Sequence, residues 1–154
     1  MNARPFLDRA SVAQWGALAV GVAYIVAGVG GFAVTGFGGF VENTDKAFIG
    51  FDLNPFHNIV HLGVGALLLG VAMVPQSSIA EGALMGGGLL YLLAAFLGFF
   101  NQLQILSMNG VLIPDNFLHL VSGSAAFLIG LIGALTTGSG EIEVDRPVRT
   151  RIEA

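Results

Sequence analysis

The sequence has no cysteine and few charged residues. Without cysteine, the chain has no disulfide bond, no thiolate metal site and no cysteine nucleophile. Only 6 Lys and Arg residues are present and the formal net charge is −4, so no basic patch is available to neutralise nucleic-acid phosphates. We therefore expect neither thiol chemistry nor a nucleic-acid partner.

The shortage of charge also indicates where the chain resides. Charged residues make up 10% of the sequence, against roughly 25% in ordinary soluble domains. Hydrophobic residues make up 55%, and the mean hydropathy is +0.80. A soluble domain of this size needs more polar side chains to cover its surface. The composition therefore predicts an integral membrane protein whose main partner is the lipid bilayer.

Uncharged stretches predict four transmembrane helices, because each is longer than the roughly 20 residues that a spanning helix needs. The stretches cover residues 10–41, 53–80, 82–114 and 116–140. Turn-forming residues narrow the predicted helices to about 15–34, 55–74, 79–100 and 115–135. The predicted fold is an all-α membrane protein with one four-helix transmembrane domain over residues 1–137.

Positively charged residues indicate the orientation of the bundle. Arg4 and Arg9 precede the first predicted helix, and three arginines lie within residues 146–151, after the fourth. The loops after the first and third predicted helices contain only Lys46. Since Lys and Arg are enriched on the cytoplasmic side, both termini are predicted to be cytoplasmic. We expect residues 138–154, which are polar and mixed in charge, to form a disordered cytoplasmic tail.

A repeated pattern, Asn-x-x-His-Leu-x-x-Gly, begins both the second and the fourth predicted helix, at residues 58–65 and 116–123. The first and third predicted helices align about Tyr24 and Tyr91. The spacing from tyrosine to histidine is 37 residues in the first copy and 28 in the second, so an insertion lies in the first loop. The sequence therefore contains an internal repeat.

The repeat predicts two tandem helical hairpins, one over residues 13–75 and one over residues 79–137. Both hairpins would cross the membrane in the same direction. We therefore expect a pseudo-twofold axis along the membrane normal to relate them.

This symmetry would bring polar residues together near the outer face. His61 and His119 would lie at equal depth, about 9 Å below the outer end of their helices. His57 precedes His61 by one turn, and Asp115 occupies the matching position before His119. Further members of the expected polar cluster, in structural roles, are Tyr24, Asn58, Tyr91 and Asn116.

The histidines suit two kinds of role. In the first, His61 and His119 form hydrogen bonds across the bundle and keep the hairpins in register. In the second, they bind a cofactor or pass protons. His61 and His119 would hold a b-type haem, or a divalent metal would be bound by His57, His61, Asp115 and His119.

We expect the first role, without a cofactor, in a non-enzymatic protein such as an accessory or assembly subunit. No Gly-x-Ser-x-Gly or His-Glu-x-x-His motif occurs in the sequence. Small-residue faces such as Gly86-Gly87-Gly88 favour close helix packing and allow a homo-oligomer or a larger membrane complex.

The segments Asn54-Pro55-Phe56-His57-Asn58-Ile59-Val60-His61-Leu62 and Asp115-Asn116-Phe117-Leu118-His119-Leu120 resemble small bacterial four-helix membrane proteins that are catalogued only as a domain of unknown function. The resemblance extends over roughly residues 12–137. It implies the four-helix architecture and a bacterial cytoplasmic (inner) membrane. It implies no activity.

Overall fold

The computed structural model describes residues 10–137, and four long helices dominate this part of the chain. The helices are α1 (Val12–Thr35), α2 (Pro55–Ala72), α3 (Ser77–Phe99) and α4 (Pro114–Thr137). Each is long and apolar enough to cross a membrane. The prediction of four helices long and apolar enough to span a membrane is confirmed, and their ends differ from the predicted ones by a few residues.

Other predictions fall outside the described residues. These predictions concern residues 1–9 and 138–154, which contain all five arginines and the predicted polar tail. We therefore name the two ends of the bundle by the structure alone. The loop end contains the segments 36–54 and 100–113, and the termini end contains the start of α1 and the end of α4.

Side-chain caps fix the starts of two helices. At α1, the Gln14 N–H donates to Oγ of Ser11 (3.2 Å), and the Ser11 N–H donates to Oε1 of Gln14 (2.9 Å). At α2, the His57 N–H donates to Oδ1 of Asn54 (2.8 Å), and Pro55 occupies the first helical position. Both arrangements satisfy backbone donors that a helix start leaves unpaired.

Glycine pairs bring neighbouring helices into close contact. The most extensive helix contacts join α1 to α2 and α3 to α4. A Cβ atom on Gly21 would lie 3.1 Å from the carbonyl oxygen of Gly65, and one on Gly88 would lie 2.7 Å from that of Gly123. Because these neighbours are backbone atoms, a larger residue would push the helices apart.

The loop end contains a small β-hairpin that the all-α prediction omitted. Strands β1 (Ala47–Phe48) and β2 (Phe51–Asp52) pair in antiparallel fashion. Ile49 and Gly50 form the turn and both have positive φ, 56° and 86°. A short 3₁₀ helix, Gln104–Leu106, lies in the second loop. The two loops bond to each other, since the Thr44 N–H donates to Oγ of Ser107 (3.0 Å).

The apolar core lies toward the termini end and is made largely of small side chains. Its buried members are Ala13, Ala17, Leu68, Ala72, Ala80, Leu84 and Ala126. Buried polar residues are more frequent toward the loop end, around the starts of α2 and α4. The polar half of the bundle is therefore the place to look for a functional site.

Candidate functional site

Five aromatic side chains from all four helices form a closed circle of ring contacts. Ring centroids are 5.4 Å apart for Tyr24 and His61, and 5.1 Å apart for Tyr24 and Tyr91. Tyr91 stacks on His119 at 5.1 Å. His57 closes the circle, at 5.9 Å from His119 and 4.4 Å from His61. We call these five residues the His–Tyr cluster. The structure thus brings the two repeated histidines into one cluster with both tyrosines.

The histidines of the cluster are almost completely buried. The exposed fraction is 1% for His57, 7% for His61 and 5% for His119. Buried polar atoms in folded proteins nearly always have a hydrogen-bond partner. The chemistry of the cluster therefore depends on the hydrogen-bond partners of the ring nitrogens.

The partner of His119 lies in its own helix. Nδ1 of His119 is 2.7 Å from the carbonyl oxygen of Asp115. A carbonyl oxygen only accepts, so Nδ1 carries the proton and donates, and Nε2 of a neutral ring is an acceptor. The Asp115 side chain is occupied separately, because the Asp52 N–H donates to its Oδ2 (3.2 Å). Asp115 thereby ties strand β2 to α4.

His57 and His61 lack such partners. Neither ring nitrogen of His57, nor Nδ1 of His61, has a hydrogen-bond partner among residues 10–137. The backbone of Asp52 and Leu106 lies beside the His57 ring without forming a well-aligned hydrogen bond. Each buried polar atom left in this state costs about 1–3 kcal/mol of folding free energy. The backbone contacts of Asp52 and Leu106 offset this cost only in part, so the described chain contains a costly feature.

A small cavity lies beside these histidines. Its volume is about 50 Å³, which is enough for a few waters or one small polar group. His57, His61, Asp115 and His119, the predicted metal ligands, all line it, together with residues of the β-hairpin segment. Within residues 10–137, however, no three His, Asp or Glu side chains are arranged so that they could hold a metal ion.

The two asparagines of the repeat, Asn58 and Asn116, form hydrogen bonds with neighbouring segments of the chain. Nδ2 of Asn58 donates to Oγ1 of Thr35 (2.8 Å), and its Oδ1 rests against Gly31 of α1. Asn116 repeats this arrangement in the second hairpin. Its Nδ2 donates to two loop carbonyls (3.0 and 2.9 Å), and its Oδ1 rests against Gly98 of α3. Their contacts are those of structural residues.

Sequence reasoning missed two parts of the site. Ser122 accepts a hydrogen bond from the Tyr24 hydroxyl (3.4 Å), but its counterpart in the other repeat is a valine. Phe48, Phe51 and Leu53 cover the cavity from the loop end. The longer tyrosine-to-histidine spacing in the first repeat was the available signal, since this segment lies within that longer loop.

The comparisons with known proteins show a family whose description gives no function. Residues 14–132, which contain the whole His–Tyr cluster, match a family described as "Domain of unknown function (DUF4383)". No curated protein and no solved structure matches the chain. The resemblance to a domain of unknown function is therefore confirmed.

Proposed function

Because this chain belongs to the DUF4383 family, whose description names no activity, we propose a function from the site alone. The chain is a non-enzymatic, accessory membrane protein that binds a small hydrogen-bonding group in the His–Tyr cluster. One observation carries this proposal. His57 is 1% exposed, both of its ring nitrogens are unpaired among residues 10–137, and the ring faces a cavity of about 50 Å³. A small ligand in that cavity would supply the missing partners.

We further propose that the two hairpins are related by a pseudo-twofold axis and that the loop end faces outward. The symmetry is supported by contacts that pair corresponding positions of the two repeats. These are Gly21 with Gly65 and Gly88 with Gly123, and Tyr24 with His61 and Tyr91 with His119. The outward orientation rests on the arginines that flank the termini end in the sequence.

A purely structural role explains the histidines less well. In that role, His61 and His119 would form hydrogen bonds across the bundle. His119 instead bonds within α4, and Nδ1 of His61 has no partner in the described chain. A residue that only keeps helices in register would not need unpaired polar atoms, because an apolar residue of similar shape packs without that cost.

Larger or more demanding ligands also fit less well. A b-type haem would need open space beside Gly65 and Gly123, where a Cβ atom would already lie 2.9 Å from backbone atoms of α1 and α3. A divalent metal needs side chains that converge, and the four candidates share the cavity without converging within the described chain. Proton passage across the bilayer would need a continuous polar path from Ser122 to Gln14 and Glu81, the buried polar residues toward the termini end, and the buried core cluster between them is apolar.

A matched pair of substitutions tests the proposal. His57→Phe removes the unpaired nitrogens and keeps an aromatic ring, whereas His119→Phe removes a formed hydrogen bond. In ligand-free protein, we expect the free energy of unfolding to stay the same or rise in His57→Phe and to fall in His119→Phe. The two variants should differ by about 1–3 kcal/mol. Equal destabilisation by both substitutions would favour the structural role instead.

Mass spectrometry of the intact protein, extracted gently from membranes, tests for the ligand itself. We expect an added mass in the natural protein that is absent from His57→Phe. Elemental analysis and an absorption spectrum of the same sample distinguish the alternatives. Stoichiometric metal or a reducible haem band that is lost in both His61→Ala and His119→Ala would replace our proposal with a cofactor site.

A further inference from the structure

Resting on the proposed function, we infer the class of ligand and its route. The ligand is a single-chain lipid with a hydroxyl head group, and it reaches the His–Tyr cluster from the bilayer through a groove between α1 and α4.

The groove has a volume of about 290 Å³ and is bordered mainly by small or apolar side chains. Residues that line it include Ala23, Ala27, His61, Leu118, Ser122 and Ala125. Because α1 and α4 are spanning helices, the groove opens toward the hydrocarbon of the bilayer. An aliphatic chain is the natural occupant of such a surface.

The groove adjoins the cavity that the histidines line. Ala27, His61 and Leu118 line both spaces. A chain lying in the groove would therefore place its end group beside the His61 ring, whose Nδ1 is buried and has no hydrogen-bond partner among residues 10–137. The His61 side chain is only 7% exposed, and its imidazole distinguishes the groove from an ordinary lipid-facing surface.

The route from the aqueous side is covered. Phe48, Phe51 and Leu53 line the cavity at the loop end, and Leu53 is 2% exposed. The β-hairpin that carries Phe48 and Phe51 is held down by the hydrogen bond from the Asp52 N–H to Asp115. Entry from the membrane therefore requires less rearrangement than entry from water.

The chemistry of the cavity selects the head group. Nε2 of His119 is an acceptor because its Nδ1 donates, and the Asp115 carboxyl group is a further acceptor. A neutral His57 ring presents one donor and one acceptor, both unpaired. A hydroxyl group can donate to one of these acceptors and accept from the His57 donor. A phospholipid head group is too large for about 50 Å³.

A second groove provides an internal control. It lies between α2 and α3, has a volume of about 250 Å³ and is lined by residues such as Leu67, Ala83, Gly87 and Leu90. Its size and apolar character match those of the first groove. No histidine is among its lining residues, and its polar side chains are those of Tyr24, Tyr91 and Ser122. A lipid drawn only by apolar contact would occupy both grooves equally.

Photo-crosslinking in proteoliposomes tests this inference. The probe is a dodecanol that carries a diazirine on its chain, and peptide mass spectrometry locates the crosslinks. We expect labelling of α1 and α4 at the groove, reduced about tenfold by excess dodecanol but not by dodecyl methyl ether, which cannot donate. Ala125→Phe should abolish most of this labelling, and Gly87→Phe, which fills the control groove, should preserve it.

Two results would overturn the inference: equal labelling of both grooves, or equal competition by dodecanol and its ether. If one of these occurs while the intact protein still carries a ligand that His57→Phe loses, the lipid assignment fails and the proposed binding function stands. If the natural protein also carries no ligand, and His57→Phe and His119→Phe are equally destabilised, both fail.

Discussion

The contact between an amide oxygen and a glycine occurs once in each hairpin, at Asn58 with Gly31 and at Asn116 with Gly98. In each case the oxygen has no conventional hydrogen-bond donor among residues 10–137. It lies against the glycine Cα, where a weak C–H donor is available. These positions need glycine because a Cβ atom would occupy the place of the oxygen.

This contact predicts an energetic coupling between Gly31 and Asn58. Gly31→Ala should destabilise the protein by about 1–3 kcal/mol, because its Cβ would overlap Oδ1 of Asn58. In the Asn58→Ala background, the same change should cost much less. Thermal unfolding of the four proteins in a double-mutant cycle measures the coupling. Additive effects would contradict this account of the contact.

The close approach of neighbouring helices depends on glycines that lie against backbone atoms of the adjacent helix. Gly88→Ala should separate α3 from α4 and lower the melting temperature strongly, because its Cβ would lie 2.6 Å from the backbone nitrogen of Phe127. Gly87→Ala is the matched control, since no atom lies within 4 Å of a Cβ there. If both variants melt at the same temperature, the α3–α4 contact does not depend on this glycine.

One side-chain hydrogen bond joins the β-hairpin to α4. Asp115→Ala removes the acceptor of the Asp52 N–H, so hydrogen exchange in the segment 47–52 should accelerate. Asp115→Asn keeps an oxygen acceptor and should exchange at close to the natural rate. Unchanged exchange in Asp115→Ala would mean that packing alone holds the hairpin.

The elements differ in how well the sequence predicts them. Long apolar stretches define α1 to α4, because length and hydropathy suffice for a spanning helix. The two-residue strands at Ala47–Phe48 and Phe51–Asp52 carry no such pattern and are held by contacts with α1 and α4.

The repeated Asn-x-x-His-Leu-x-x-Gly motif predicted that Asn58 belongs to the polar cluster. It did not show that its side chain faces Gly31, because spacing does not determine which neighbour a helix face meets.

The whole molecule presents large apolar side chains on every spanning helix, as expected for a surface in contact with lipid. Examples with more than half of the side chain exposed are Val26, Leu67, Leu90 and Leu128. This belt supports a membrane location.

The absence of natural cysteine makes the orientation directly measurable. Phe37→Cys places a thiol at an 82% exposed position of the loop end, and Gln76→Cys places one in the connection between α2 and α3. If the loop end faces outward, an impermeant maleimide should label Phe37→Cys in intact cells and Gln76→Cys only after lysis. The reverse pattern would invert the proposed topology.

Tyr24 and Ser122 line both lateral grooves and are joined by a hydrogen bond. The two grooves therefore share one wall and one pair of hydroxyl groups. A molecule in one groove that turned Tyr24 away from Ser122 would change the surface that a molecule in the other groove contacts. The affinities of the two grooves would then be linked, and the linkage would be reciprocal, so each occupant would change the affinity for the other by the same factor.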